Sequence, residues 1–208
     1  MKTMLILQIT VFILCAGIFG GFVVTEGVYE NVRDTIVNVL CLSCLKLNTA
    51  TDLNFTFITA NDEEHPSFIL ENLSEGVVFL AFREDVCTAC DIMEPSVQEI
   101  FDVHFKKEDT VVVTKTMNDV DITLIHISIN HSPQYLIDLY SVYDQYHIGG
   151  VPMFTAITYG YDRGTIKPYY TTGYGTLKAE TSEEQILALQ SLIDDAVLLY
   201  KQNHNGGD

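Results

Sequence analysis

The chain has 208 residues, 48% of them hydrophobic, enough for one globular unit with a sizeable core. Its formal net charge of −17 excludes the basic face that nucleic-acid binding needs and disfavours an anionic membrane surface. Tryptophan is absent, and apart from Cys15 every cysteine belongs to a CxxC pair.

Taken in chain order, the first element is an apolar run from Met4 to Val24, broken only by Gln8 and Thr10. It is long enough to cross a bilayer and longer than the usual apolar core of a cleaved leader. Lys2 precedes it, and Glu26 and Glu30 follow. This bias predicts a signal anchor over residues 1–25, with the N-terminus in the cytoplasm and the remainder on the extracytoplasmic side. The triplets beginning at Asn54, Asn72 and Asn130 match the glycosylation pattern of exported chains. Residues 26–50 follow as an amphipathic segment through Val28, Val32, Ile36, Val39 and Leu40, ending in Cys41-Leu42-Ser43-Cys44.

A folded domain is expected over residues 51–202. Leu53 to Thr59 alternates as a strand, Pro66 to Leu73 suits a short helix, and Val77 to Arg83 reads as a buried central strand. A helix through Ile92, Val97, Ile100 and Phe101 to about Phe105 should kink near Pro95. Residues 110–121 read as an insertion with an extra strand at Val111 to Val113, and Ile122 to Ile129 as a strong strand. Ser132 and Pro133 suit the cap and first residue of a helix running to about Tyr146. Met153 to Tyr159 and Lys167 to Thr172 flank Asp162-Arg163-Gly164 as a hairpin. Thr181 or Ser182 should cap a last helix that buries Ile186, Leu189, Ile193 and Val197, before a disordered tail over 203–208.

The chemistry concentrates in Cys87-Thr88-Ala89-Cys90, at the handover from the central strand to a helix. There the unpaired N–H groups of the helix start and its dipole favour a thiolate at Cys87, and Cys90 lies one turn away. Such spacing also occurs in zinc sites and inert disulfides, but its place after a strand favours redox cycling. Glu84, Asp85, Asp91 and Glu94 surround the pair, opposed in sequence only by Arg83. They disfavour a thiolate and therefore a strong oxidant. About sixty residues on, Gly149-Gly150-Val151-Pro152 opens another strand pattern.

These motifs together, with Pro95 in the intervening helix, resemble the thioredoxin-fold family over roughly residues 53 to 202. The resemblance implies a three-layer α/β/α sandwich with a mixed central sheet. It implies that Cys87 attacks, that Cys90 resolves the mixed disulfide, and that Pro152 is the cis-proline. The backbone of Val151 would pair with an incoming substrate segment. The chain also departs from the family. Thr88-Ala89 stands between the cysteines, Val86 replaces the usual tryptophan, and Ala81 replaces the buried acid that assists the second thiol. The neighbouring strand's charged position corresponds most nearly to His126, a candidate proton acceptor. The implied activity is a membrane-anchored thiol–disulfide oxidoreductase acting as reductant or isomerase, with protein thiol or disulfide partners and an upstream thiol donor or acceptor. No cofactor is expected. The alternatives are an adaptor or holdase with structural disulfides, or a four-cysteine metal-binding protein. For Cys41 and Cys44, a structural disulfide, a second redox pair and shared metal ligation with Cys87 and Cys90 all stay open. His65, His104, His131, His147 and His204 lack metal-type spacing, and Tyr135, Tyr140, Tyr143 and Tyr146 suit core packing with wet hydroxyls.

Overall fold

In the computed structural model, residues 54–204 are described. The anchor, the amphipathic segment with Cys41 and Cys44, and the end of the chain after His204 lie outside them. Among the described residues no helix is long and apolar enough to cross a membrane.

The elements run α1 (Ser67–Glu75), β1 (Gly76–Arg83), α2 (Thr88–Phe101), β2 (Val111–Met117), β3 (Val120–Ser128), α3 (Gln134–Ile137), α4 (Leu139–Tyr143), β4 (Met153–Asp162), β5 (Thr165–Tyr174) and α5 (Ser182–His204). They form an α/β fold around a mixed five-stranded sheet of order β2-β3-β1-β4-β5. β1 lies parallel to β3 and antiparallel to β4, and β2 lies antiparallel to β3. Buried along its whole length, β1 carries the near-continuous apolar run of a central strand.

Because side chains alternate across a strand, β1 feeds two cores. Val77, Phe79 and Ala81 join Met93, Val97 and Phe101 of α2 and Leu189, Ile193 and Val197 of α5. Val78, Leu80 and Phe82 join Ile69 and Leu73 of α1 and Leu139, Val142 and Tyr143 of α4. Both faces of the sheet are therefore covered. The same parity puts Arg83 on the α2 side, and the pairing of Ala81 with His126 puts that histidine there too.

Several sequence expectations need correction. Of the strand expected from Leu53 to Thr59, Leu53 lies outside the described residues, and in residues 54–59 Thr56 makes only one isolated bridge to Tyr170. The extra strand at Val111 to Val113 extends to Met117 and forms the sheet edge. The helix carrying the cysteine pair continues through Pro95 but stops at Phe101, short of Phe105. Asp102 takes the left-handed conformation (φ 51°), and the Asp102 and Val103 N–H groups donate to the Glu99 and Gln98 carbonyls. This is a Schellman stop built on aspartate instead of glycine.

The helix expected from Ser132 to Tyr146 is two short pieces, α3 and α4. Ser132 does not cap it: its hydroxyl accepts from the Ser128 N–H (2.9 Å) and pairs with the Thr110 hydroxyl (2.6 Å). The α5 start is a capping box. Thr181 Oγ1 accepts from Glu184 N–H, while the Glu184 carboxylate accepts from the Thr181 N–H. α5 also takes in Asn203 and His204, which the sequence placed in a tail.

Gly76 stands opposite Asp121 where β1 and β3 begin to pair. A β-carbon there would lie 1.9 Å from the Asp121 carbonyl oxygen, and backbone cannot yield as a side-chain tip does. Gly76→Ala should destabilise the protein by about 2–3 kcal/mol in a denaturant titration, the range of overpacked cores.

Candidate functional site

Cys87 is the N-cap of α2. Its extended backbone (φ −140°, ψ 96°) turns the sulfur over the first helical turn, where Sγ accepts from the Cys90 N–H at 3.0 Å. A sulfur so placed receives one of the otherwise unpaired donors of the helix start, and the dipole adds to the same effect. Cys87 and Cys90 are joined as a disulfide, with Cα atoms 5.2 Å apart. Cys87 is 9% exposed and Cys90 only 2%, so the first cysteine is the more accessible. Val86, just before it, is 96% exposed, which leaves an apolar side chain in solvent at the approach to the pair.

The Val151–Pro152 peptide bond is cis, and β4 begins at the next residue. The loop before it is held from several sides. The Asp144 carboxylate accepts from the Ile148 N–H (3.0 Å), the Gly149 N–H (2.9 Å) and the Tyr174 hydroxyl (2.6 Å). Tyr140 donates its hydroxyl to the Gly150 carbonyl at 3.0 Å. The tyrosine stripe thus divides. Tyr143 is fully buried and its hydroxyl meets His65 Nδ1, Tyr140 ties the loop, and Tyr135 and Tyr146 are largely exposed. The expectation of wet hydroxyls fails for Tyr140 and Tyr143, because burial of a phenol calls for a partner.

Beneath the pair is a cavity of about 20 Å³, room for roughly one water. Ala81, Arg83, Cys90, Glu94, Phe105, His126 and Pro152 are among its lining residues. It therefore gathers residues from β1, α2, β3 and the start of β4. Arg83, 3% exposed, is the buried cation of this site. Its guanidinium makes a short ion pair with Glu94 and reaches Asp91 at 3.2 Å and the Glu84 carbonyl at 3.2 Å. Lys107, from the loop after α2, pairs with Asp91 at 2.5 Å.

The charge balance thus differs from the sequence reading. Two of the four carboxylates near the cysteines are neutralised, and Lys107 joins Arg83 in doing so. Lysine 107 was invisible as a partner because it lies sixteen positions beyond Asp91 and arrives through the turn at Asp102. Lys107 and Arg83 hold the Asp91 carboxyl below the usual carboxylate range. Burial pushes Glu94 up, against the pull of Arg83.

His126 is 3% exposed and stacks on Phe105, with ring centroids 4.1 Å apart. Its Nδ1 lies 2.8 Å from the Asp109 carbonyl, which can only accept, so Nδ1 carries the proton and Nε2 the lone pair. Nε2 is buried without a hydrogen-bond partner, as is Arg83 Nε. Burial first, and then the Arg83 charge, depress its pKa to about 4. The imidazole is accordingly neutral near neutral pH.

Cys87, Cys90, Val151, Pro152 and His126 all fall within the described residues, and Cys90, Pro152 and His126 line the one cavity. Cys41 and Cys44 lie outside the described residues. Among the described residues no group of three or more His, Cys, Asp or Glu side chains is placed to hold a metal ion. The mixed sheet with a disulfide of this spacing is compatible with a thioredoxin-like fold. No protein-family model matches the chain. No curated protein matches it either.

The histidine gives a pH signature. The unfolded chain takes up a proton near pH 6.5 that folded His126 refuses until about pH 4. Unfolded protein binds more protons in that window, so this contribution is complete above pH 6.5 and lost on acidification toward pH 4. It is worth at most about 3 kcal/mol. Denaturant titrations of wild type and His126→Gln across pH 4–7 should show a shallower acid loss in the variant. Removing the loop anchor is a second test. Asp144→Ala leaves two loop N–H groups and a phenol without their acceptor and should cost about 1–3 kcal/mol in thermal or chemical unfolding.

Proposed function

We propose that this chain is a thioredoxin-like thiol–disulfide oxidoreductase whose working pair is Cys87 and Cys90. One observation carries the reading: the Cys87–Cys90 disulfide sits at the N-terminus of α2, with Cys87 Sγ accepting a helix-start N–H. A sulfur there is stabilised as the leaving and attacking thiolate that disulfide exchange requires. A structural disulfide, as in the adaptor or holdase alternative, has no need of that placement.

In the reducing direction, the Cys87 thiolate attacks one sulfur of a client disulfide. A Cys87–client disulfide forms, the client disulfide breaks, and its departing thiolate takes up a proton. Cys90 then loses its proton and attacks Cys87 Sγ. The Cys87–Cys90 disulfide forms and the second client thiol leaves, so the client gains the two electrons that the pair gives up. A dithiol donor restores the pair by the same exchange in reverse. Exposed Val86 and the pinned loop ending at Val151 and Pro152 would receive the client segment, the Val151 backbone pairing with it.

Glu84 and Asp85, on the exposed loop before Cys87, disfavour extra thiolate, and the charge of Arg83 is taken up by Glu94 and Asp91. This balance suits a reductant or isomerase better than a strong oxidant. The apolar run at residues 4–24 would tether the domain on the extracytoplasmic side, where client disulfides occur.

The test uses the reduced full-length protein and a peptide disulfide. Wild type should reduce it, Cys87→Ser should not, and Cys90→Ser should accumulate a mixed disulfide that mass spectrometry detects. Equilibration with glutathione should give a potential more negative than about −180 mV. Full activity in Cys87→Ser removes the assignment, and a potential near −120 mV, about that of a strong oxidant, removes the direction.

A further inference from the structure

The resolving step needs a base for Cys90, and Ala81 offers none where the family resemblance puts a buried acid. We propose that the proton acceptor for Cys90 is Glu94, supplied from the cysteine-bearing helix itself and held in place by Arg83 at the end of the central strand. The proposal rests on the thiol–disulfide reading above.

Glu94 follows Cys90 by one helical turn, so the two side chains lie on the same face of α2. Both line the cavity of about 20 Å³, and the Glu94 side chain is only 13% exposed. A carboxylate that far from solvent needs a cation, and Arg83 provides it from β1. Relative to the resembled pattern, the acid has moved from the central strand to the helix, and the end of that strand carries its cation.

Two buried atoms on the same cavity have no partner, and they are complementary. Arg83 Nε carries a hydrogen, and His126 Nε2 carries a lone pair because its Nδ1–H is committed to the Asp109 carbonyl. The cavity has room for one water, which would accept from Arg83 Nε–H, donate to His126 Nε2 and link the Cys90 thiol to Glu94. His126 serves as a hydrogen-bond acceptor and not as the base. Protonating it would place an imidazolium in a buried site beside Arg83.

In the step, the Cys90 S–H bond breaks and its proton passes to the Glu94 carboxylate. The Cys90 electron pair forms the bond to Cys87 Sγ, and the Cys87–client bond breaks onto the client sulfur. That sulfur takes up the proton as Glu94 returns to carboxylate. The charges that face Glu94 are Arg83 from β1, Asp91 on its own helix and Lys107 from the following loop, with neutral His126 across the cavity. Protonated Glu94 cannot accept, so the step slows as pH falls through its pKa, which burial raises above the usual carboxylate range.

The experiment is single turnover of the reduced full-length protein on a fluorogenic peptide disulfide from pH 4.5 to 9, resolving release of the first and second thiols. In Glu94→Gln the ratio of second-step to first-step rate should fall about 100-fold, and the acid limb of the second step should vanish. Glu94→Asp should restore part of the rate with a displaced limb. His126→Gln should slow the step but keep the limb. A Glu94→Gln protein that resolves at the wild-type ratio with its limb intact overturns the proposal, as does loss of the limb in His126→Gln. Absence of any first thiol release from wild type would overturn the parent reading instead. Should Glu94→Gln not fold, carboxyl-carbon NMR of wild type reads the same point. The Glu94 titration should lie above ordinary carboxylates and move between oxidised and reduced protein, and an ordinary, redox-independent titration overturns the proposal.

Discussion

Arg83 is the constraint on which the rest of the site depends. A guanidinium with 3% exposure is costly to bury unless its hydrogen-bond donors are taken up, and α2 supplies the carboxylates that do so. The pairing joins the end of the central strand to the first two turns of the helix that begins with Cys87. The helix start, and with it the sulfur that caps it, is therefore located by an electrostatic bond as well as by packing of Met93 and Val97. Lys107 extends the bond to the loop after α2. The same loop lays Phe105 over His126 and closes the cavity from below.

The strands were the easiest part to read from sequence. β1 announces itself because a buried central strand needs a near-continuous apolar run, β3 shows in the isoleucines and leucine between Ile122 and Ile127, and the cysteine pair falls at the expected handover. The helix ends were harder. α2 stops at an aspartate in a conformation that usually signals glycine, and α4 stops at Tyr143, where Asp144 turns its carboxylate to the following loop. Such tertiary demands leave little trace in periodicity.

The site was readable in its covalent chemistry and not in its electrostatics. Cys87 and Cys90 stand out by their spacing and their place after a strand, and Pro152 through the family resemblance. Arg83 and Glu94 look like solvent-facing charges flanking a motif, since sequence does not reveal that strand parity turns Arg83 inward onto the helix. His126 could be picked out by its place on β3, but its neutrality follows only from its burial and from the nearby guanidinium.

Gly76 lies at the other end of β1 from Arg83, a span of about 23 Å at the usual rise of a strand. The backbone contact it permits with Asp121 fixes how β1 and β3 align, pairing Ala81 with His126. A slip of one residue would turn Arg83 to the opposite face and leave Glu94 without its cation. A glycine at one end of β1 thus serves as the datum for where Arg83 and His126 stand at the other end.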